Sequence, residues 1–145
     1  MTKADTNNLI KQIVQDNERL REISQTENYL SDAYDPKESQ KIGKRFDRNM
    51  ESLLKTEEGI AELYKLLEDE IPHIRFMAAR YLFPIYPKKC LDILIDYRTA
   101  LTDDRERMEV NNVIDGLVQN RKVFIEQYKR LYGCDDLSPL SREDI

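Results

Sequence analysis

The sequence predicts an all-α protein of about seven helices, arranged as an α-α superhelix of helical hairpins. Apolar residues recur at three- and four-residue intervals along most of the chain, which is the spacing of one helix face. Proline or acidic residues precede several of these runs, as they do at helix starts. No segment shows a convincing strand pattern of alternating apolar and polar residues.

The first helix is expected to run to about Ser24, with Asp5 or Thr6 as its N-cap. Its apolar residues recur mostly at helical spacing: Leu9, Ile10, Ile13, Val14, Leu20 and Ile23. The residues from there to Pro36 are mostly polar. We therefore expect them to connect the first helix to the second.

A second helix is expected from Pro36 to about Lys55, because proline is preorganised for the first helical turn. Gly43 weakens it, and its apolar line is thin: Ile42, Phe46, Met50, Leu53 and Leu54. The other face carries a basic stripe: Lys37, Lys41, Lys44, Arg45 and Arg48. The stripe makes nucleic-acid binding one possible function. Three acidic residues interrupt it: Glu38, Asp47 and Glu51. A solvated helix face is therefore the preferred interpretation, and nucleic acid is an unlikely partner.

Glu57 and Glu58 open a third helix, since acidic residues complement the positive end of a helix dipole. Its buried face is expected to be Ile60, Leu63, Tyr64, Leu66 and Leu67. A fourth helix is expected from Pro72 to Tyr86. It is apolar nearly all round, so neighbours must cover it on several sides. Its apolar residues are Ile74, Phe76, Met77, Ala78, Ala79, Tyr81, Leu82, Phe83 and Ile85.

Three more helices complete the prediction. Pro87 opens a fifth, which ends near Leu101, and Asp103 or Asp104 begins a sixth. The apolar residues of the sixth are Met108, Val110, Val113, Ile114, Leu117 and Val118. A seventh is expected over 123–132, with the glycine that follows as its C-cap.

Length and composition predict one domain. A chain of 145 residues buries about two thirds of its unfolded surface. The expected division is N-terminal helices 1–56, a core 57–118 and a closing helix 119–133, within a single domain 1–133 followed by a C-terminal tail 134–145. No run of 18 apolar residues and no apolar leader is present, so the expected location is the cytoplasm.

The net charge of −5 is unevenly distributed. Residues 1–56 carry 10 basic and 10 acidic side chains, and residues 116–145 carry 5 of each. Residues 57–115 carry 8 basic and 13 acidic side chains. The whole surplus therefore lies on the central helices. An acidic surface disfavours nucleic acid or anionic lipid as the partner of that part, and allows a basic protein.

The second helix of the central pair resembles that of a HEAT repeat. Its motif residues are Asp69, Ile74, Arg75, Ala78 and Leu82. Residues 57–118 accordingly resemble HEAT-like repeats of a family of short bacterial proteins of unknown function. In HEAT repeats the Asp and the Arg bond to neighbouring repeats, which implies a structural role. A shift of about 35 residues brings Asp69 onto Asp104 and Leu82 onto Leu117, but Arg75 onto Val110.

The resemblance implies a surface that holds another macromolecule. Some small HEAT-like bacterial proteins accompany secreted toxins, which implies a non-catalytic immunity protein that binds a basic toxin domain. The candidate contacts are Asp92, Asp96, Asp103, Asp104, Glu106 and Glu109. The alternative is a solvated acidic face with ordinary helix-start residues. A third interpretation is a structural subunit or homo-oligomer that buries Phe76, Tyr81 or Phe83.

The sequence predicts no enzyme, metal or cofactor. His73 is the only histidine, and a nucleophile needs a positioned base and an orienting group. Cys90 lies on an apolar helix side and is expected to be a buried structural thiol. Cys134 is expected to be more exposed, beside Asp135 and Asp136, which raise a thiol pKa. The glycines stand alone, so no phosphate-binding loop is expected.

Overall fold

The computed structural model describes residues 2–25, 36–120 and 126. These residues form six α-helices and one 3-10 turn, with no strand among them. The helices are α1 (Lys3–Gln25), α2 (Pro36–Leu54), α3 (Glu57–Lys65), α4 (Pro72–Leu82), α5 (Pro87–Ala100) and α6 (Asp104–Gln119), and the 3-10 turn is Leu66–Glu68. The predicted all-α class is confirmed for this part of the chain. The expected seventh helix, apart from Glu126, and the tail lie outside it.

The chain divides into two compact units, with the boundary inside α3 between Leu63 and Tyr64. In the first unit α1 packs against α2. In the second, α4 packs on the 3-10 turn and on α5, and α5 packs on α6. The single domain expected over 1–133 stays a prediction.

Each unit has its own apolar core. The first buries Ile13, Ile42, Phe46, Met50, Leu53, Leu54, Ile60 and Leu63. The second buries Leu67, Ile74, Met77, Ala78, Ala79, Leu82, Phe83, Ile85, Cys90, Leu94, Val110, Ile114 and Leu117. Most of these side chains belong to the apolar lines that the sequence shows, because burial of one helix face produces that spacing.

The N-cap of α1 is Thr2, so the predicted caps Asp5 and Thr6 were wrong. The Thr2 hydroxyl accepts a hydrogen bond from the Asp5 amide at 3.1 Å, and the Asp5 carboxylate accepts one from the Thr2 amide at 3.0 Å. This reciprocal pair is a capping box. The bond from the Thr2 amide lowers the pKa of Asp5. Thr6 is buried, and its hydroxyl donates to the Thr2 carbonyl.

The junction between α2 and α3 brings backbone against backbone at Gly59. The Thr56 hydroxyl accepts a hydrogen bond from the Gly59 amide at 2.9 Å, and the Thr56 amide donates to the Leu53 carbonyl. A Cβ on Gly59 would lie only 2.0 Å from the Leu53 carbonyl oxygen. The turn therefore requires glycine for space.

α4 ends at Leu82, four residues before the predicted end at Tyr86. Pro84 has no amide hydrogen to continue the helix ladder. The amides of Ile85 and Tyr86 both donate to the Leu82 carbonyl at 2.9 Å, which closes a tight turn. Phe83 in this turn is 3% exposed, so the interface role considered for it was wrong.

Candidate functional site

Two arginine side chains link the end of α5 to α6. The Arg98 guanidinium donates to the Asn111 side-chain oxygen at 2.9 Å. The Arg107 guanidinium donates to the Leu101 carbonyl. These two hydrogen bonds fix the start of α6 relative to the end of α5.

The six acidic side chains proposed as partner contacts have different surroundings. Asp92 and Asp96 are exposed, four residues apart on α5, and helix geometry places them on one face. Asp103 is the N-cap of α6, because its carboxylate accepts from the amides of Arg105 at 2.8 Å and Glu106 at 3.1 Å. The helix-start interpretation is confirmed for Asp103.

The remaining three lie in the first turns of α6. Glu109 pairs with Arg105 at 3.5 Å, with both side chains more than half exposed, and such pairs contribute little stability. Glu106 is half-buried and Asp104 is exposed. Within the described ranges, the exposed acids of the proposed set that form neither an ion pair nor a capping hydrogen bond are therefore Asp92, Asp96 and Asp104.

The sequence interpretation missed an exposed apolar side chain beside Asp104. Met108 is 57% exposed, and it lies one turn after Asp104 and one turn before Asn112, with Asp115 two turns on. At 100° per residue, about 160° or more separates Met108 from the buried residues Val110 and Leu117. We call Asp104, Met108, Asn112 and Asp115 the α6 ridge. The angular position of Met108 was visible in the sequence.

Apolar exposure elsewhere in the described residues is limited. The other large hydrophobic side chains that are exposed are Ile71 at 45% and Val118 at 50%. Phe76, considered for an interface, is half-buried and stacks on Tyr97 with ring centroids 4.6 Å apart. Tyr81, also considered, is half-buried.

The basic stripe on α2 is divided by an ion pair to α1. Arg45 donates to both carboxylate oxygens of Asp16, at 2.9 Å and 2.6 Å. Asp16 is 3% exposed and also accepts a hydrogen bond from the side-chain amide nitrogen of Gln12 at 3.0 Å. The Arg45 hydrogen bond lowers the pKa of Asp16, and the pair raises the pKa of Arg45. Arg45 therefore positions α2 against α1.

The other members of the stripe face solvent. Lys37, Lys41, Lys44 and Arg48 are all exposed. We call these four residues the basic ridge. Two acids that interrupt the stripe in sequence bond to other residues: Glu38 pairs with Arg19 at 2.9 Å and Glu51 with Lys55 at 3.3 Å.

Lys89 lies at the centre of a polar cluster in the second unit. Its ammonium group donates to the Tyr64 hydroxyl at 2.9 Å and to Glu68 at 2.8 Å. These bonds raise the pKa of Lys89 well above its ordinary value, and the bond between Lys89 and Glu68 lowers the pKa of Glu68. A lysine nucleophile requires the opposite shift. The cluster therefore joins the α3 end to α5.

The remaining residues considered for chemistry lie in structural positions. His73 is half-buried in the first turn of α4. Cys90 is fully buried in α5, which confirms the expectation of a buried thiol, whereas Cys134 lies outside the described residues. Among the described histidine, cysteine and acidic side chains, no group of three or more is arranged to hold a metal ion.

Two of the HEAT-type motif residues, Asp69 and Arg75, form hydrogen bonds within the turn that precedes α4. The Asp69 carboxylate accepts from the Ile71 amide at 2.9 Å. Arg75 donates to the carbonyls of Asp69 at 2.6 Å and Glu70 at 3.2 Å. The resemblance implies bonds to a neighbouring repeat, whereas these bonds are local. Ile74, Ala78 and Leu82 lie in the core of the second unit.

None of the helices in the described ranges combines the length and the apolar character needed to cross a bilayer. Comparison with known proteins found no matching family model, no matching curated protein and no matching solved structure.

Proposed function

We propose that this chain is a non-catalytic helical binding module whose α6 ridge docks a basic protein partner. The observation that carries the proposal is the exposure of Met108, which is 57% exposed and lies between Asp104 and Asp115 on the α6 ridge. Protein interfaces combine an apolar centre with a polar rim. Methionine is an adaptable contact at such surfaces because its side chain is flexible and polarizable.

Charge supports a basic partner. Residues 57–115 carry the whole acidic surplus of the chain, and Asp104 and Asp115 flank Met108 on exposed positions of α6. Opposite potentials speed encounter and disfavour wrong partners. On this proposal, Asp92 and Asp96 of α5 contribute to the same acidic field.

We propose further that the second unit is a degenerate HEAT-like array and that the partner is a toxin. The array is supported by the packing of α4 on α5 and of α5 on α6. It is also supported by the hydrogen-bonded turn that Asp69, before α4, and Arg75, within α4, form. The chain would then be an immunity protein that neutralises the toxin by stoichiometric binding. The cytoplasmic location expected from the sequence stays a prediction.

Growth protection tests this function. The C-terminal domain of a secreted protein encoded next to this chain is expressed in bacteria with and without the chain. We expect toxicity that the wild-type chain relieves. The double variant D104K/D115K should lose protection, because it reverses the charge on both sides of Met108. We expect at least a tenfold loss of affinity, equivalent to about 1.4 kcal/mol, when binding is titrated by calorimetry.

The matched control is D47K/E58K, which makes the same charge change at exposed positions of α2 and α3. It should protect as the wild type does. Equal loss of protection in both variants would contradict the assignment to the α6 ridge. A non-toxic neighbouring product, or toxicity that the chain does not relieve, would contradict the immunity role.

A further inference from the structure

The basic ridge of α2 is a straight row of cations on one side of a helix. Lys37, Lys41, Lys44 and Arg48 follow at intervals of four, three and four residues. At 100° per residue the four positions fall within a sector of about 60°, and at 1.5 Å per residue they span about 16 Å. All four side chains are exposed.

Several charged side chains next to this row form ion pairs. Arg45, about 40° outside the sector, bonds to the buried Asp16. Glu38 bonds to Arg19 on α1, and Glu51 bonds to Lys55. Helix geometry places Glu51 and Asp47 beside the row, about 20° and 60° outside the sector.

The surroundings of the row favour a phosphate backbone over a protein or a membrane. A protein interface has an apolar centre, whereas the exposed large hydrophobic side chains of the described residues all lie beyond α2. A membrane-surface helix likewise inserts an apolar face, and the apolar face of α2 is buried in the first unit. A phosphate backbone needs only a line of cations.

The acidic net charge does not cancel this row. The acidic surplus lies on residues 57–115, and residues 1–56 are balanced. The segment that carries the ridge therefore has no acidic surplus of its own.

We propose that the basic ridge, centred on Lys41, Lys44 and Arg48, binds the phosphate backbone of a nucleic acid without reading its sequence. Each cation neutralises one phosphate and releases its counterion. The basic ridge shares no residue with the α6 ridge, so this proposal does not rest on the protein-binding function proposed above.

Fluorescence anisotropy tests the proposal with the full chain and labelled oligonucleotides of about 20 nucleotides, single-stranded in one series and duplex in the other. With three to four phosphate contacts, log K for a single strand should fall against log salt with a slope of about −2 to −3. The variant K41Q/K44Q should weaken binding of all sequences alike and make the slope shallower by about 1.4.

The control K3Q/K11Q removes the same charge from exposed positions of α1 and should bind like the wild type. Circular dichroism establishes that both variants are folded. No binding at low salt, or equal weakening by the two variants, would overturn the proposal. So would displacement by polyglutamate as effective as displacement by unlabelled oligonucleotide, because the ridge would then bind acidic polymers in general.

Discussion

Replacing Arg45 with methionine is expected to lower the urea concentration at the midpoint of unfolding, because removal of one partner leaves an uncompensated charge on the other. The variant leaves the Asp16 carboxylate, 3% exposed, without its bidentate cation. The Arg45 side chain is 39% exposed in the native pair, so solvent moderates the loss. Urea unfolding followed by circular dichroism measures the loss.

Two comparison variants make this prediction specific. The same change at the exposed Arg48 should alter stability by no more than about 0.5 kcal/mol. The double variant D16L/R45M should recover most of the loss, since an apolar pair can replace a buried ion pair. If R45M and R48M are equally stable, the pair does not hold α1 against α2.

The loss should also depend on pH. In the wild type the pKa of Asp16 is lowered, so its contribution is present above the unfolded pKa of about 3.9 and disappears as pH falls through the folded value. In R45M, burial without Arg45 should raise the pKa of Asp16 instead. The difference between the two proteins should therefore shrink as pH falls from 7 towards 4. A difference that is constant over this range would contradict the electrostatic cause.

Replacing Gly59 with alanine is expected to destabilise the chain by about 2 to 3 kcal/mol or more, because the new methyl group would overlap backbone. Its Cβ would lie 2.0 Å from the Leu53 carbonyl oxygen and 2.7 Å from the carbonyl carbon. Both belong to the backbone, so no side-chain rotation relieves the overlap. Thermal and urea unfolding measure the loss.

Gly43 provides the matched control. Its added Cβ would meet nothing within 4 Å, so alanine should stabilise α2 by about 0.5 to 1 kcal/mol through helix propensity. The two variants should therefore shift the unfolding midpoint in opposite directions. A stabilised Gly59→Ala protein would show that the α2–α3 turn is not as closely packed as described.

The two glycines show what the sequence could and could not predict. It identified the helices around them, because Pro36 and the acidic start of α3 are local signals. It treated both residues as local features of their helices. What distinguishes Gly59 from Gly43 is its close approach to the Leu53 backbone. This contact depends on how the turn between α2 and α3 folds back, which the sequence does not show. The same limit applies to Arg45, which the sequence places in a basic stripe and the structure pairs with Asp16.

The candidate site was predicted in part. Asp103 at the start of α6 was identified both as a possible cap and as a contact, and its hydrogen bonds to two amides establish the cap. Met108 was listed with the apolar residues of α6 because its side chain is apolar. The helix needs only one buried line, Val110, Ile114 and Leu117, and Met108 falls on the opposite side.

A photo-crosslinking amino acid placed at Met108 tests the central claim, that the α6 ridge docks a basic protein, most directly. The control carries the same group at Asn7, an exposed position on α1. Cells producing each variant are irradiated, and adducts are separated and identified by mass spectrometry. We expect one abundant adduct with a basic protein or domain at Met108 and none at Asn7. No adduct at Met108, or the same adducts at both positions, would contradict the claim.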